Sequence, residues 1–222
     1  MNQTPLVSVL MTSYNREKYI SQAIESILEQ TFSDFELIIV DDCSVDNTLK
    51  IAKEFAKKDK RIRIYNNTQN LGQFHNRNLA ASYAKGLYLK YADSDDIIYK
   101  DTIAFMVESM LNYPEAALGI CINNEKYNLK QPLLFDSKVA IKNHFLLGGF
   151  LFCGPSGTII KKSAFKEVNG FEEYGMPSDN HLSLKLASKY PVVGFENNLF
   201  FWRQHEEQVF FQNKKNYYNI VN

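Results

Sequence analysis

The sequence predicts an α/β fold in which a mostly parallel central sheet is flanked by helices. Three observations predict it. Short, β-branched apolar runs recur through the first half, and stretches with apolar residues at helical spacing follow them. Acid-rich or otherwise polar clusters then stand at the carboxyl ends of several of those runs. Strand and helix repeated in this way close through right-handed crossovers onto a parallel sheet, and such sheets bind ligands beyond the carboxyl ends of their strands.

Leu6 to Met11 ("LVSVLM") reads as a buried strand. A helix follows, with Ile20, Ala23, Ile24, Ile27 and Leu28 on one face and Asn15 as its N-cap. Phe35 to Asp42 ("FELIIVDD") is the second strand and Asn47 to Lys58 the second helix. "IRIYNN" and Gln73 to Ala84 form the third pair. Gly86 to Ala92 ("GLYLKYA") is the fourth strand. The helix after it places Ile103, Met106, Val107, Met110 and Leu111 on one face. From Ala117 the alternation weakens. "FCGPSGTIIKKSAF" (Phe152 to Phe165) reads as a punctuated loop, a short strand and a helix start. The clusters "TSYNRE", "DDCSVD" and "DSDD" therefore converge on one edge.

Composition narrows the function. With 222 residues, 45% of them hydrophobic, the chain can bury the core of one large domain. Its 25 basic and 25 acidic residues cancel, which gives no electrostatic case for a nucleic-acid partner. Cys43, Cys121 and Cys153 are far apart and form no CxxC pair, so neither a disulfide framework nor a zinc-thiolate site is expected. No signal peptide is read at the start, and the apolar run Phe145 to Gly154 is far shorter than the roughly 20 residues of a membrane span. The expectation is a cytoplasmic protein, with peripheral contact at the inner face of a membrane left open.

Spacing excludes several nucleotide sites. "TSYNRE" holds no glycine, so a GxGxxG turn is absent after the first strand, and no GxxxxGK[ST] occurs. A phospho-receiver or a haloacid-dehalogenase phosphatase would carry its acids after the first strand, whereas here they follow the second and the fourth. "KYADSDDIIY" places Asp93, Asp95 and Asp96 within four residues at a strand end. Like charges so close repel, and a divalent cation is the obvious counterweight.

Residues Val7 to about Pro114 carry "VSVLMTSYNREKYISQAIESILEQTFSDFELIIVDDCSVDNT" and "NLGQFHNRNLAASYAKGLYLKYADSDD". This stretch closely resembles the family-two nucleotide-sugar glycosyltransferases, whose GT-A fold is Rossmann-like, and the likeness continues more weakly to about Gln208. The resemblance implies one domain over 1–222, with a nucleotide-sugar-binding half to about 115 and a smaller acceptor-binding half from about 116. It implies that Thr12, Tyr14 and Arg16 hold the nucleotide, and that Asp42, with Asp41 beside it, meets the base or ribose. Arg77 lies near the same edge. Asp93 and Asp95 match the DxD motif, with Ser94 between them, and hold Mn²⁺ or Mg²⁺ and the ribose; Asp96 orients the acceptor or a metal-bound water. In "FWRQHEE", Arg203 and His205 face the diphosphate or the metal, with His205 as a ligand.

"NGFEEYGMPSDNHLSLKLA" resembles the family segment in which an acidic pair opens a helix. Ser178 stands where the first acid is usual, and Asp179 stands at the position of the catalytic base while also fitting a helix N-cap. The implied reaction moves a sugar, with inversion, from a nucleotide-diphosphate sugar to a saccharide or lipid-linked saccharide acceptor, in surface polysaccharide or glycolipid assembly. Two alternatives are a nucleotide-sugar-binding module without catalysis and a nucleotidyltransferase; the latter calls for a glycine-rich basic loop after the first strand. The sugar, the base and the oligomeric state are not legible in the sequence.

Overall fold

Apolar runs without alternation can sit only where both faces of a sheet are covered, and the first half of the chain builds that arrangement. The computed structural model describes residues 4–122, 129–174, 178–196 and 198–206. Strands β1 (Val7–Ser13), β2 (Phe35–Asp41), β3 (Ile62–Asn66) and β4 (Tyr88–Tyr91) pair in parallel in the spatial order β3-β2-β1-β4. Helices α1 (Ile20–Leu28), α2 (Thr48–Lys58) and α3 (Gln73–Tyr83) connect them. After β4 come the short strand β5 (Ile97–Ile98) and helix α4 (Thr102–Asn112).

The period of two divides the core into layers. Val7, Val9 and Met11 pack with Ile20, Ile24 and Ile27 of α1 and Ile103, Met106 and Met110 of α4. Leu10, Ile38, Val40 and Leu89 face the opposite layer, which includes Phe74, Ala80 and Ala81 of α3. As the chain enters β4, a Cβ on Gly86 would lie 2.6 Å from the Ser8 amide nitrogen, so only glycine fits there.

The second half extends the same sheet. β6 (Leu118–Cys121), β7 (Leu133–Phe135) and helix α5 (Ser137–Leu147) precede a 3-10 turn at Pro155–Gly157. Then come β8 (Thr158–Lys161), α6 (Lys162–Glu167), α7 (Ser178–Lys189), β9 (Val192–Phe195) and β10 (Phe200–Phe201). The eight-stranded order is β3-β2-β1-β4-β8-β6-β9-β7. β8 runs antiparallel to β4 and β6, and β7 antiparallel to β9, while β6 and β9 are parallel. The sheet is thus mostly parallel, with reversals confined to the second half. β10 pairs antiparallel with β5 and returns the chain to the end of β4.

Four local expectations need correction. Asn15 does not cap α1, which begins at Ile20. It takes a left-handed backbone at φ 51° and turns the chain over the sheet edge, its Oδ1 accepting the Val45 N–H. The fourth strand is Tyr88–Tyr91 rather than Gly86 to Ala92. Leu111 is exposed because it falls just past the buried stripe of α4. Asp179 is the second residue of α7 rather than its cap, and its carboxylate is turned to Arg77.

Candidate functional site

Parallel strands that end together leave their following loops side by side, and the loops after β1, β2 and β4 carry the polar clusters. Thr12 lies half-buried in the last turn of β1, opposite Val40 of β2. Tyr14 follows on the loop with 43% of its surface exposed. Arg16 anchors there through its backbone N–H to Thr48 Oγ1 at 2.6 Å and sends its Nε to Asp95 Oδ2 at 3.2 Å.

The pair at the end of β2 is buried and committed to loops. Asp41 accepts from the Ser44 hydroxyl at 2.6 Å, the Ser44 amide at 2.8 Å and Ser13 Oγ at 3.2 Å. Asp42 accepts from Asn67 Nδ2 at 2.7 Å and from the amides of Leu71 and Gly72 at 2.9 and 3.0 Å. Gly72 has φ 82°, the left-handed geometry that turns its amide toward Asp42 and opens α3. These acids shape the two loops that border the edge.

The turn after β4 concentrates charge. Asp93 Oδ1 accepts from Arg77 at 3.0 Å, and its amide donates to Ser156 Oγ at 3.0 Å. Ser94 is buried within the turn. Asp95 Oδ2 meets both Arg16 Nε and His205 Nε2, the latter at 2.9 Å. Asp96 Oδ1 accepts the Arg203 amide at 3.2 Å. Asp93 and Asp95 each have a cationic partner, whereas Asp96 is held by neutral donors. Burial, then the charges of Asp93 and Asp95, push its carboxyl up to about 7. Beneath the turn, Lys90 is fully buried and donates to the carbonyls of Tyr91 and Ser156. Burial pushes its ammonium down to about 8, against the pull of nearby groups that include Asp93 and Asp96.

Two remote segments complete the site. Arg77, buried on α3, joins Asp93 to Asp179: one guanidinium nitrogen reaches Asp93 and the other reaches Asp179 Oδ1 at 2.8 Å. Phe74 and Phe171 flank it at 5.8 and 5.7 Å. Burial would lower the Arg77 pKa, but Asp179 and Asp93 raise it further, so it stays charged. Asp179 is itself raised, by burial first, with Arg77 opposing and Asp93 reinforcing. On the other side, the pairing of β10 with β5 lays Arg203 and His205 over the acids. The His205 ring packs on Tyr19 at 4.4 Å, and Arg203 Nε donates to the Asp95 carbonyl at 2.9 Å.

The donor set fits a divalent cation of the Mg²⁺ or Mn²⁺ kind. Asp95 Oδ2 and His205 Nε2 are hydrogen-bonded to each other, and Asp93 stands on the same turn, so one carboxylate and one imidazole would have to exchange that bond for the ion. Among the described residues no group of three or more His, Cys, Asp or Glu is placed to hold a metal ion by itself. Few protein ligands, with phosphate and water supplying the rest, is how such ions bind beside nucleotides. A concavity of about 640 Å³ is lined by residues of α3 and the loop before it, among them Asn70, His75 and Ser82, and none of these acids lines it.

The structure therefore brings Arg16, Asp95, Asp96, Arg203 and His205 into one cluster, and Asp93, Arg77 and Asp179 into an adjoining one. Sequence reasoning missed Ser156 and Lys90. A lysine inside an apolar strand, and a serine in the "CGPSG" turn, were the available signals.

A parallel sheet edge carrying an acidic turn, with a carboxylate from a later helix tied to it through Arg77, is the arrangement of a GT-A transferase. The chain belongs to glycosyl transferase family 2, whose profile it matches over residues 8–168. It is 27% identical to glycosyltransferase GlyG of Streptococcus pneumoniae serotype 4, over 92% of this chain and 72% of that one. It is 41% identical to the Escherichia coli enzyme WfgD, a UDP-Glc:alpha-D-GlcNAc-diphosphoundecaprenol beta-1,3-glucosyltransferase, over 48% of this chain and 41% of that one. Its fold matches the mannosyltransferase PcManGT of Pyrobaculum calidifontis, solved with GDP-Man and Mn²⁺, at a TM-score of 0.77 and 17% identity. That match covers 99% of this chain and 63% of PcManGT. The matching stretch spans less than half the length of six curated relatives, WfgD among them. Among the described residues no helix is long and apolar enough to cross a membrane.

Proposed function

We propose that the protein is a metal-dependent, inverting glycosyltransferase that moves a sugar from a nucleotide-diphosphate sugar to an acceptor hydroxyl. One observation carries the reading: Arg77 ties Asp93, on the donor turn, to Asp179, on the helix that follows from the acceptor side. The half from about 116 onward then binds the acceptor, while the half before it binds the donor. Thr12, Tyr14, Arg16 and the loops shaped by Asp41 and Asp42 surround the nucleoside.

Asp179 acts as general base. Its Oδ1 is occupied by Arg77, its side chain is 27% exposed, and its raised pKa makes it a stronger proton acceptor than an ordinary aspartate. The acceptor oxygen attacks the anomeric carbon, its proton passes to Asp179, and the carbon–oxygen bond to phosphate breaks on the opposite face. The electron pair leaves with the nucleoside diphosphate. Arg77 keeps Asp179 oriented, and Ser156 fixes the turn that carries Asp93. Asp95 and His205, with Asp93 alongside, would hold Mn²⁺ or Mg²⁺, which when bound stabilises the negative charge of the leaving diphosphate.

The relatives' names support a nucleotide-sugar donor and a lipid-linked saccharide acceptor, and hence work at the cytoplasmic face of a membrane in polysaccharide assembly. A binding module without catalysis is favoured by one feature, Ser178 in place of an acid; its hydroxyl accepts the Tyr174 amide at 2.8 Å. A screen of UDP-, GDP-, dTDP- and CMP-sugars with Mn²⁺ tests both readings. Sugar transfer that is lost in Asp179→Asn establishes the enzyme, and donor binding without any transfer would establish the module.

A further inference from the structure

Helix α5 and the loop behind it expose large apolar side chains beside lysines. From Ser137 to Gly154 the chain carries Lys138 and Lys142 and no acidic residue, in a protein whose 25 basic and 25 acidic residues cancel overall. At 100° per residue, Phe145, Lys138, Lys142, Leu146 and Val139 share one face of α5, and Ala140, Ile141 and His144 share the opposite one. Burial follows that division. Ala140 is fully buried, whereas Phe145 and Leu146 are 69% and 67% exposed. Phe152, on the loop that follows, is 48% exposed. Single exposed apolar residues are ordinary, but adjacent ones ringed by lysines mark an interaction surface.

We infer that this face docks on an anionic lipid bilayer. Phe145, Leu146 and Phe152 enter the boundary between headgroups and acyl chains, and Lys138 and Lys142 meet lipid phosphates while their stems lie along the apolar patch. A second copy of the chain is the poorer occupant, because a two-fold contact would set these lysines against one another. The placement also serves the site. α5 packs on α7, whose second residue is Asp179, and the loop after α5 leads into the turn that carries Ser156. This deepens the proposed lipid-linked acceptor by naming the surface that presents it, and it rests on that reading for its biological purpose.

Vesicle flotation of the full chain, with neither donor nor acceptor present, tests the inference separately from transfer. Vesicles of phosphatidylcholine with about a third phosphatidylglycerol are expected to carry the protein, pure phosphatidylcholine much less of it, and added salt to weaken the association. The double change Lys138→Gln, Lys142→Gln is expected to reduce partitioning roughly 25-fold, about fivefold per lysine. Phe145→Ser with Leu146→Ser is expected to reduce it more than tenfold while shifting the thermal midpoint little, since both side chains are mostly in water. Absence of binding to anionic vesicles, or equal binding by the serine variant, would overturn the inference. So would a stable dimer that the serine pair dissociates without any vesicle binding. Vesicle binding by a protein that transfers no sugar would leave the docking surface standing and remove only the catalytic reading.

Discussion

Glu36, at the amino end of β2, and the acids of the turn after β4 are held in opposite ways. At the amino ends of the strands, Glu36 of β2 accepts from Ser8 Oγ at 2.8 Å, the Lys85 amide at 2.7 Å and Arg63 at 2.7 Å. Burial alone would raise its pKa, but Arg63 and the two other donors together hold it below the ordinary value. At the carboxyl ends, Asp93, Asp95 and Asp96 crowd one turn, and Asp96 and Asp179 are both pushed up. A single acid surrounded by donors stabilises a fold, whereas acids held close against their repulsion are poised to receive something else. The comparison separates acids that brace the fold, Glu36 with Asp41 and Asp42, from the acids of the turn after β4.

Substitutions at each end sharpen that contrast. The largest expected effect is on transfer: Asp95→Asn should lower it roughly a thousandfold per folded molecule. Arg77→Gln follows, because it leaves Asp93 and Asp179 without their shared cation. A loss of about 3 kcal/mol in urea unfolding, with reduced transfer, is expected. Glu36→Gln should cost about 2 kcal/mol at pH 7 and leave transfer per folded molecule unchanged. Because the folded pKa of Glu36 lies below its unfolded value near 4.3, the stabilisation is complete above about pH 5. It fades as pH falls through the folded value, so the gap between wild type and Glu36→Gln should close in acid. The smallest effect has the opposite sign. Asp96→Asn should be neutral or stabilising by up to about 1 kcal/mol at pH 8, where the wild-type carboxyl is ionised; a marked loss there would break the contrast.

The sequence made the first half legible because its signals are local. Buried strands and amphipathic helices alternate there at their own periods, and the acids that follow β4 stand in one short motif. The second half was harder to read. β7, β9 and β10 are short, and their places depend on pairing with strands distant in sequence, which no local period encodes. For the same reason Arg77 was readable as a basic residue near the edge, but its bridge to Asp179, 102 residues away, was not. Lys90 fits the alternation of a half-exposed strand; only the covering turn around Ser156 explains its complete burial.

Calorimetric titration of UDP and GDP with Mn²⁺ into Asp95→Asn and Glu36→Gln, side by side with wild type, tests the division between Glu36 and the acids after β4 most directly. Metal-dependent binding of a nucleoside diphosphate should vanish in Asp95→Asn and persist in Glu36→Gln. Undiminished binding by Asp95→Asn would contradict it.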